Sequence, residues 1–233
     1  MSPQARETRA FIWAHLLILG LVLLGFARTF YLHGLFFSKP LPPRLVVHGM
    51  VLTLWVVLVP LQGLLVQARR RDWHARLAWF MVLVVVGMVI TGGWVTLALD
   101  MTLKSADEPE NMVVWIDYFT LLSFPTLVAA AVMARRRPAV HRRLILFASI
   151  LVSAPALGRL ALWPVFHAGV AGAPVFALTG LVLMVLMVVC YDLMTLRRLH
   201  PASMAGLAGV ALPWIAGIGI GASGLGFAIL HRA

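Results

Sequence analysis

Residues 44–71 read RLVVHGMVLTLWVVLVPLQGLLVQARRR, a nearly uncharged apolar run closed by three consecutive arginines. The run exceeds the roughly 20 residues that a helix needs to cross about 30 Å of hydrocarbon, and Arg69, Arg70 and Arg71 mark where it leaves that layer. His48, Trp55 and Gln62 recur at intervals of seven residues. On a helix of about 3.6 residues per turn, a step of seven turns the side chain by only about −20°, so the three make one stripe. Lipid can satisfy neither an imidazole nor an amide, and the stripe is therefore expected to face other helices.

The rest of the chain has the same character. Of 233 residues, 62% are hydrophobic and 12% charged, and the mean hydropathy is +0.96, the composition of a multi-pass membrane protein. The net charge of +11 does not imply nucleic acid, because the arginines gather in short loops between apolar runs. The single cysteine, Cys190, lies within an apolar run, which excludes a disulfide framework or a thiolate metal cluster. The first apolar run is long enough to span and ends without a small-residue cleavage site, so no cleavable signal peptide is expected.

Seven apolar runs are long enough to span, at about 10–31, 44–68, 76–99, 112–134, 143–166, 173–196 and 205–230. The expected fold is an all-α transmembrane bundle of seven helices forming a single domain over 1–233, with spans two to five as its central four-helix core. With the amino terminus inside, the cytoplasmic side holds thirteen basic residues: Arg6, Arg9, Arg69, Arg70, Arg71, Arg76, Arg135, Arg136, Arg137, Arg142, Arg143, Arg197 and Arg198. The other side holds four, Lys39, Arg44, Lys104 and Arg232, so the expected orientation is N-in, C-out. The corresponding location is the bacterial inner (cytoplasmic) membrane. Reporter fusions after Arg71, Arg137 and Arg198 should read cytoplasmic and one after Lys104 external; an external signal at Arg137 would contradict this topology.

Two turns resemble each other. Residues 68–77 read ARRRDWHARL and residues 134–144 read ARRRPAVHRRL, matching after a one-residue insertion. Either spans two and three duplicate spans four and five about an axis along the membrane normal, or any tight cytoplasmic turn collects arginine and an interfacial histidine. The last span carries Gly217, Gly219, Gly221, Gly224 and Gly226, including a Gly-x-x-x-Gly pair, which points to close helix packing and to no chemistry.

Arg28, His48, Asp117 and Arg159 all fall in the expected outer third of spans one, two, four and five. A charge inside a span costs about 2.5–3.5 kcal/mol on insertion scales, so two arginines and an aspartate at one depth are expected to meet. They would form a polar pocket opening outward, with Asp117 paired to Arg159 or Arg28 and His48 at the edge. The alternative is that they snorkel to the interface or form a structural ion pair.

On the cytoplasmic side His74 and His141 open spans three and five, and His15 lies about one turn inside span one. Two imidazoles at equal depth on different helices are the minimum for a bis-histidine haem, with Arg76, Arg142 or Arg143 available for the propionates. Interfacial histidine in a basic loop is the plainer explanation. A haem on His48 would have to recruit His33 or His167 from loops. The chain has no HExxH or HxxxH pair, no Gly-rich phosphate loop and no lysine within a span, which argues against an intramembrane zinc hydrolase or a retinal Schiff base. Asp117 and Asp192 are the only acids in the spans, too few for the carboxylate rows of a channel or pump.

At HGMVLTLWVVLVPLQGLLVQARRRDWHARL (48–77) and AVHRRLILFASILVSAPALGRL (139–160) the chain resembles a group of bacterial multi-helix membrane proteins of unknown function. Those proteins show a His-to-Gln helix with an Arg-His turn, then a second His-Arg turn leading to an Arg late in the next helix. The resemblance covers roughly 44–160 and implies a fold but no activity. The chain is less closely similar to membrane b-type cytochromes, departing from them in that its inner histidines sit at helix ends and its outer histidine lacks a partner.

Two readings follow. In the first the protein is redox-linked, associated with haem b or a quinone, with His48, Gln62, His74, His141 and Arg159 lining the site. In the second it is a non-enzymatic transporter, sensor or membrane-complex assembly factor, and Arg28, His48, Asp117 and Arg159 line a pocket for a polar or anionic ligand. A homo-oligomer or a membrane-complex partner is compatible with both, and no catalytic residue is assigned.

Overall fold

Proline and left-handed residues set the limits of the helices. A computed structural model describes residues 3–231; Arg232, counted above on the outer side, lies outside them. The helices are α1 (Pro3–Phe26), α2 (His33–Phe36), α3 (Pro43–Gln67), α4 (Arg71–Asp100), α5 (Glu110–Met133), α6 (Pro138–Arg159), α7 (Ala173–Leu196), α8 (Pro201–Ala222) and α9 (Leu225–Leu230). Proline occupies the first turn of α3, α7 and α8, where its fixed φ suits the helix and its missing N–H costs nothing. The His200 ring accepts a hydrogen bond from the Ala202 amide and caps α8. Arg69, Arg197 and Gly224, with φ of 60°, 57° and 69°, end α3, α7 and α8 in left-handed conformations.

Seven of these helices, all but α2 and α9, are long and apolar enough to cross a membrane, and the chain is a multi-pass membrane protein. No strand occurs among the described residues. Four spans differ in detail from expectation. The first gives way at Ala27–Tyr31 to a π-helical turn. The third and fifth begin earlier, at Arg71 and Pro138, because their basic first turns are already helical. The last does not run on to 230: it stops at Ala222, Gly224 reverses the backbone, and α9 is a separate short helix.

By its contacts the chain divides into two compact units. The first comprises Met1–Met88 and Val152–Leu199, the second Val89–Leu151 and His200–Ala233, so α4 and α6 each contribute to both. Enclosure is uneven among the four helices expected at the centre: the α6 span is 72% buried, against 33%, 28% and 22% for those of α3, α4 and α5.

In the first unit, bare backbone lets helices approach. Gly25 of α1 lies against the Ala156 backbone of α6, and Gly63 of α3 against Ile12 of α1. In the second, α5 lies along α8, with Gly209 on Leu127, Gly217 on Ile116 and Gly221 on Met112. Polar side chains reinforce this seam: Ser123 Oγ donates to the Gly209 carbonyl at 2.6 Å and Asn111 Nδ2 to that of Gly221 at 2.9 Å.

Candidate functional site

The end of the first unit at which α1 and α6 stop and α3 begins collects most of the expected outer polar residues. The π-helical turn places Arg28 where its Nη1 donates to the Leu162 carbonyl, just past the end of α6. Such turns widen the helix by one residue and often mark functional positions. The Arg28 guanidinium also lies 4.8 Å above the Phe36 ring of α2. Its Nε is buried and has no hydrogen-bond partner among the described residues, and the same holds for Oγ1 of Thr29.

Arg159, the last residue of α6, donates from Nη1 to the Pro155 carbonyl at 3.0 Å and lies 4.8 Å from the Phe26 ring. His48 is half-buried on α3 and within electrostatic reach of Arg159. Trp163 Nε1 donates to the Leu24 carbonyl at 3.1 Å, and Tyr31 and Thr53 share a hydroxyl hydrogen bond of 2.8 Å, so α1, α3 and α6 are tied together around this cluster.

By contacts, Arg28, His48 and Arg159 are counted in the first unit and Asp117, half-buried on α5, in the second; none of His48, Asp117 and Arg159 is without a partner. The connecting segments of this end, 27–43 and 159–172, contain no Asp or Glu but hold Arg28, Lys39 and Arg159. The planar N–H fork of a guanidinium matches the geometry of carboxylate and phosphate oxygens.

Along the α3 stripe, Trp55 and Gln62 are buried and His48 is half-buried, while Leu54, Val57, Leu61 and Leu64 are exposed. Gln62 Nε2 donates weakly to Met81 Sδ at 3.4 Å, and its buried Oε1 has no hydrogen-bond partner among the described residues.

At the opposite ends of these helices the two similar turns do similar work. The His74 ring donates from Nδ1 to the Gln62 carbonyl at 3.4 Å, and His141 donates from Nδ1 to the Ala131 carbonyl at 2.8 Å. Each ring reaches back to the helix before its turn and staples the hairpin. His74 belongs to the first unit and His141 to the second. Among the described residues no three His, Cys, Asp or Glu side chains gather to hold a metal ion.

Sequence reasoning missed several contributors. Phe26, Phe36, Thr29 and Trp163 carry no mark of period or charge. In the second unit, Asp100 at the end of α4 is buried, accepts from Tyr118 OH at 3.3 Å and lies 3.7 Å from His231 Nε2.

Comparison with protein-family models, with curated proteins and with solved structures finds no match for this chain.

Proposed function

We propose that the protein is a non-enzymatic membrane receptor, transporter or assembly factor that binds an anionic ligand at the Arg28–His48–Arg159 end of its first unit. The observation that carries this reading is the convergence of two guanidinium groups on the end of α6, with His48 in electrostatic reach of one of them. Removal from bulk water strengthens charge-assisted hydrogen bonds to an oxyanion, and the Phe36 and Phe26 rings lie 4.8 Å from the Arg28 and Arg159 guanidinium groups. The basic-residue count places this end outside, in keeping with an outward-facing site in the bacterial inner membrane.

The test is thermal unfolding of the detergent-solubilised protein with and without inorganic phosphate. A ligand at 100 times its dissociation constant stabilises by about 2.7 kcal/mol, which raises Tm by several degrees. The rise is expected for the wild type and should be lost in Arg159→Gln and in Arg28→Gln. An equal rise in both variants would overturn the reading.

One observation favours the redox reading as the second. A histidine that ligates a metal through Nε2 commonly donates Nδ1–H to a carbonyl, and His74 and His141 both hold that donor bond. Haem b on either histidine, or a quinone near His48 and Gln62, would make the protein an electron carrier. Protein purified after expression with ample haem should then show a Soret band that disappears in His74→Ala or in His141→Ala; colourless wild-type protein rejects the haem form.

A further inference from the structure

With only six residues, α9 is too short to persist on its own hydrogen bonds, so its place is set by what it reaches. Gly224, with φ of 69°, is the pivot before it, and Gly226 lies bare against the Trp115 indole of α5. Beyond its last turn, His231 meets three oxygens. Nδ1 is 3.3 Å from the Phe227 carbonyl, while Nε2 is 3.3 Å from the Asp100 carbonyl and 3.7 Å from Asp100 Oδ1, all within the second unit. The Phe227 ring stacks on the imidazole at 4.2 Å and 13°, which fixes the plane in which both nitrogens point.

A carbonyl oxygen only accepts, so each ring nitrogen needs a proton to make its bond. A neutral imidazole has one N–H and would turn its other lone pair on an oxygen; the imidazolium satisfies both. The carboxylate favours the same form. Asp100 is buried, its Oδ2 accepts from Tyr118 OH, and its Oδ1 has no hydrogen-bond partner among the described residues, so a cation beside it offsets the cost of burial. We propose that His231 and Asp100 form a proton-operated latch: protonated His231 fastens α9 to the end of α4, and loss of the proton lets α9 swing about Gly224. The His231 side chain is 26% exposed and exchanges protons with water.

The docked form holds the extra proton, so docking is favoured at low pH and weakens as pH rises through the range of about 5–8 in which imidazoles titrate. Of the elements around α9, α8 carries no ionisable side chain and α5 carries Glu110, Asp117 and Tyr118. The 101–109 connection carries Lys104, Asp107 and Glu108, and Glu108 Oε1 accepts from the Lys104 and Ser105 amides. Arg232, next in sequence, lies outside the described residues. Carboxylic acids ordinarily titrate near about pH 4 and phenols and amines near about pH 10, which leaves the imidazole to change charge across that range.

Ile229, exposed on α9, is the place for a reporter. In the full chain in detergent, Cys190→Ser with Ile229→Cys takes a single nitroxide, whose spectrum separates docked from freed α9. The freed share should rise about tenfold between about pH 5 and pH 8, the equilibrium change that one charge-assisted hydrogen bond carries. In His231→Gln and in Asp100→Asn, each made in that background, the share should not change with pH. His231→Gln alters a partly exposed side chain and keeps the test decisive where Asp100→Asn does not fold. Equal spectra at both pH values in the labelled parent overturn the latch, as does a pH response that survives in His231→Gln or in folded Asp100→Asn.

Discussion

Gly25→Val should leave little folded protein in detergent, while Gly20→Val on the same helix should fold like the wild type. A Cβ at Gly25 would fall on the Ala156 carbonyl oxygen, 2.7 Å from the carbonyl carbon and 3.0 Å from Cα. These are backbone atoms of α6 and cannot rotate away, so α1 and α6 would have to separate. Overpacking a tight contact typically costs about 1–3 kcal/mol, and separating two helices loses further packing on both sides. The Trp163–Leu24 and Arg28–Leu162 bonds cross the same seam, so the anion response should disappear along with stability. At Gly20 a Cβ would meet nothing within 4 Å. Thermal unfolding followed by tryptophan fluorescence measures both variants, and equal behaviour would show that the α1–α6 approach is not as close as described.

The second large effect is expected in the other unit. In Gly217→Val the new Cβ would stand 2.6 Å from the Ile116 amide nitrogen and 2.7 Å from its Cα, and at Gly221 a Cβ would stand 2.6 Å from the Met112 Cα. Pushing α8 from α5 would also stretch the bonds from Asn111 to the Gly221 carbonyl and from Ser123 to that of Gly209. Leaving buried polar groups unsatisfied costs about 1–3 kcal/mol each, so the loss should exceed that of a simple packing defect. Gly219, between the two, has nothing within 4 Å, and Gly219→Val should unfold with the wild type. A large loss at Gly219, or none at Gly217, would contradict this helix register.

The contrast between these glycines shows what the sequence could reveal. Gly217 and Gly221 announce themselves by the four-residue spacing that puts them on one helix face, whereas Gly25 has no glycine at such a spacing to mark a seam. The seven spans were legible because a helix must satisfy hydrocarbon over its whole length, a demand that length and hydropathy record directly. Their ends were less so. The π-helical turn at Ala27–Tyr31 and the break at Gly224 depend on local backbone geometry, which leaves hydropathy unchanged.

For the site, Arg28 and Arg159 stood out because a guanidinium in a span is expensive. The rings beneath them did not, because phenylalanine is unremarkable anywhere in such a chain, and the bond from Arg28 to a carbonyl of a distant segment leaves no trace in composition. The likeness of the two Arg-His turns was visible, but the reach of each ring to the preceding helix was not.

The most direct measurement is an experimental density map of the wild-type protein with inorganic phosphate. Anion density is expected within hydrogen-bond distance of the Arg28 and Arg159 guanidinium groups. A map at the same resolution in which ordered phosphate is seen elsewhere, and no anion touches either arginine, would contradict the proposed function.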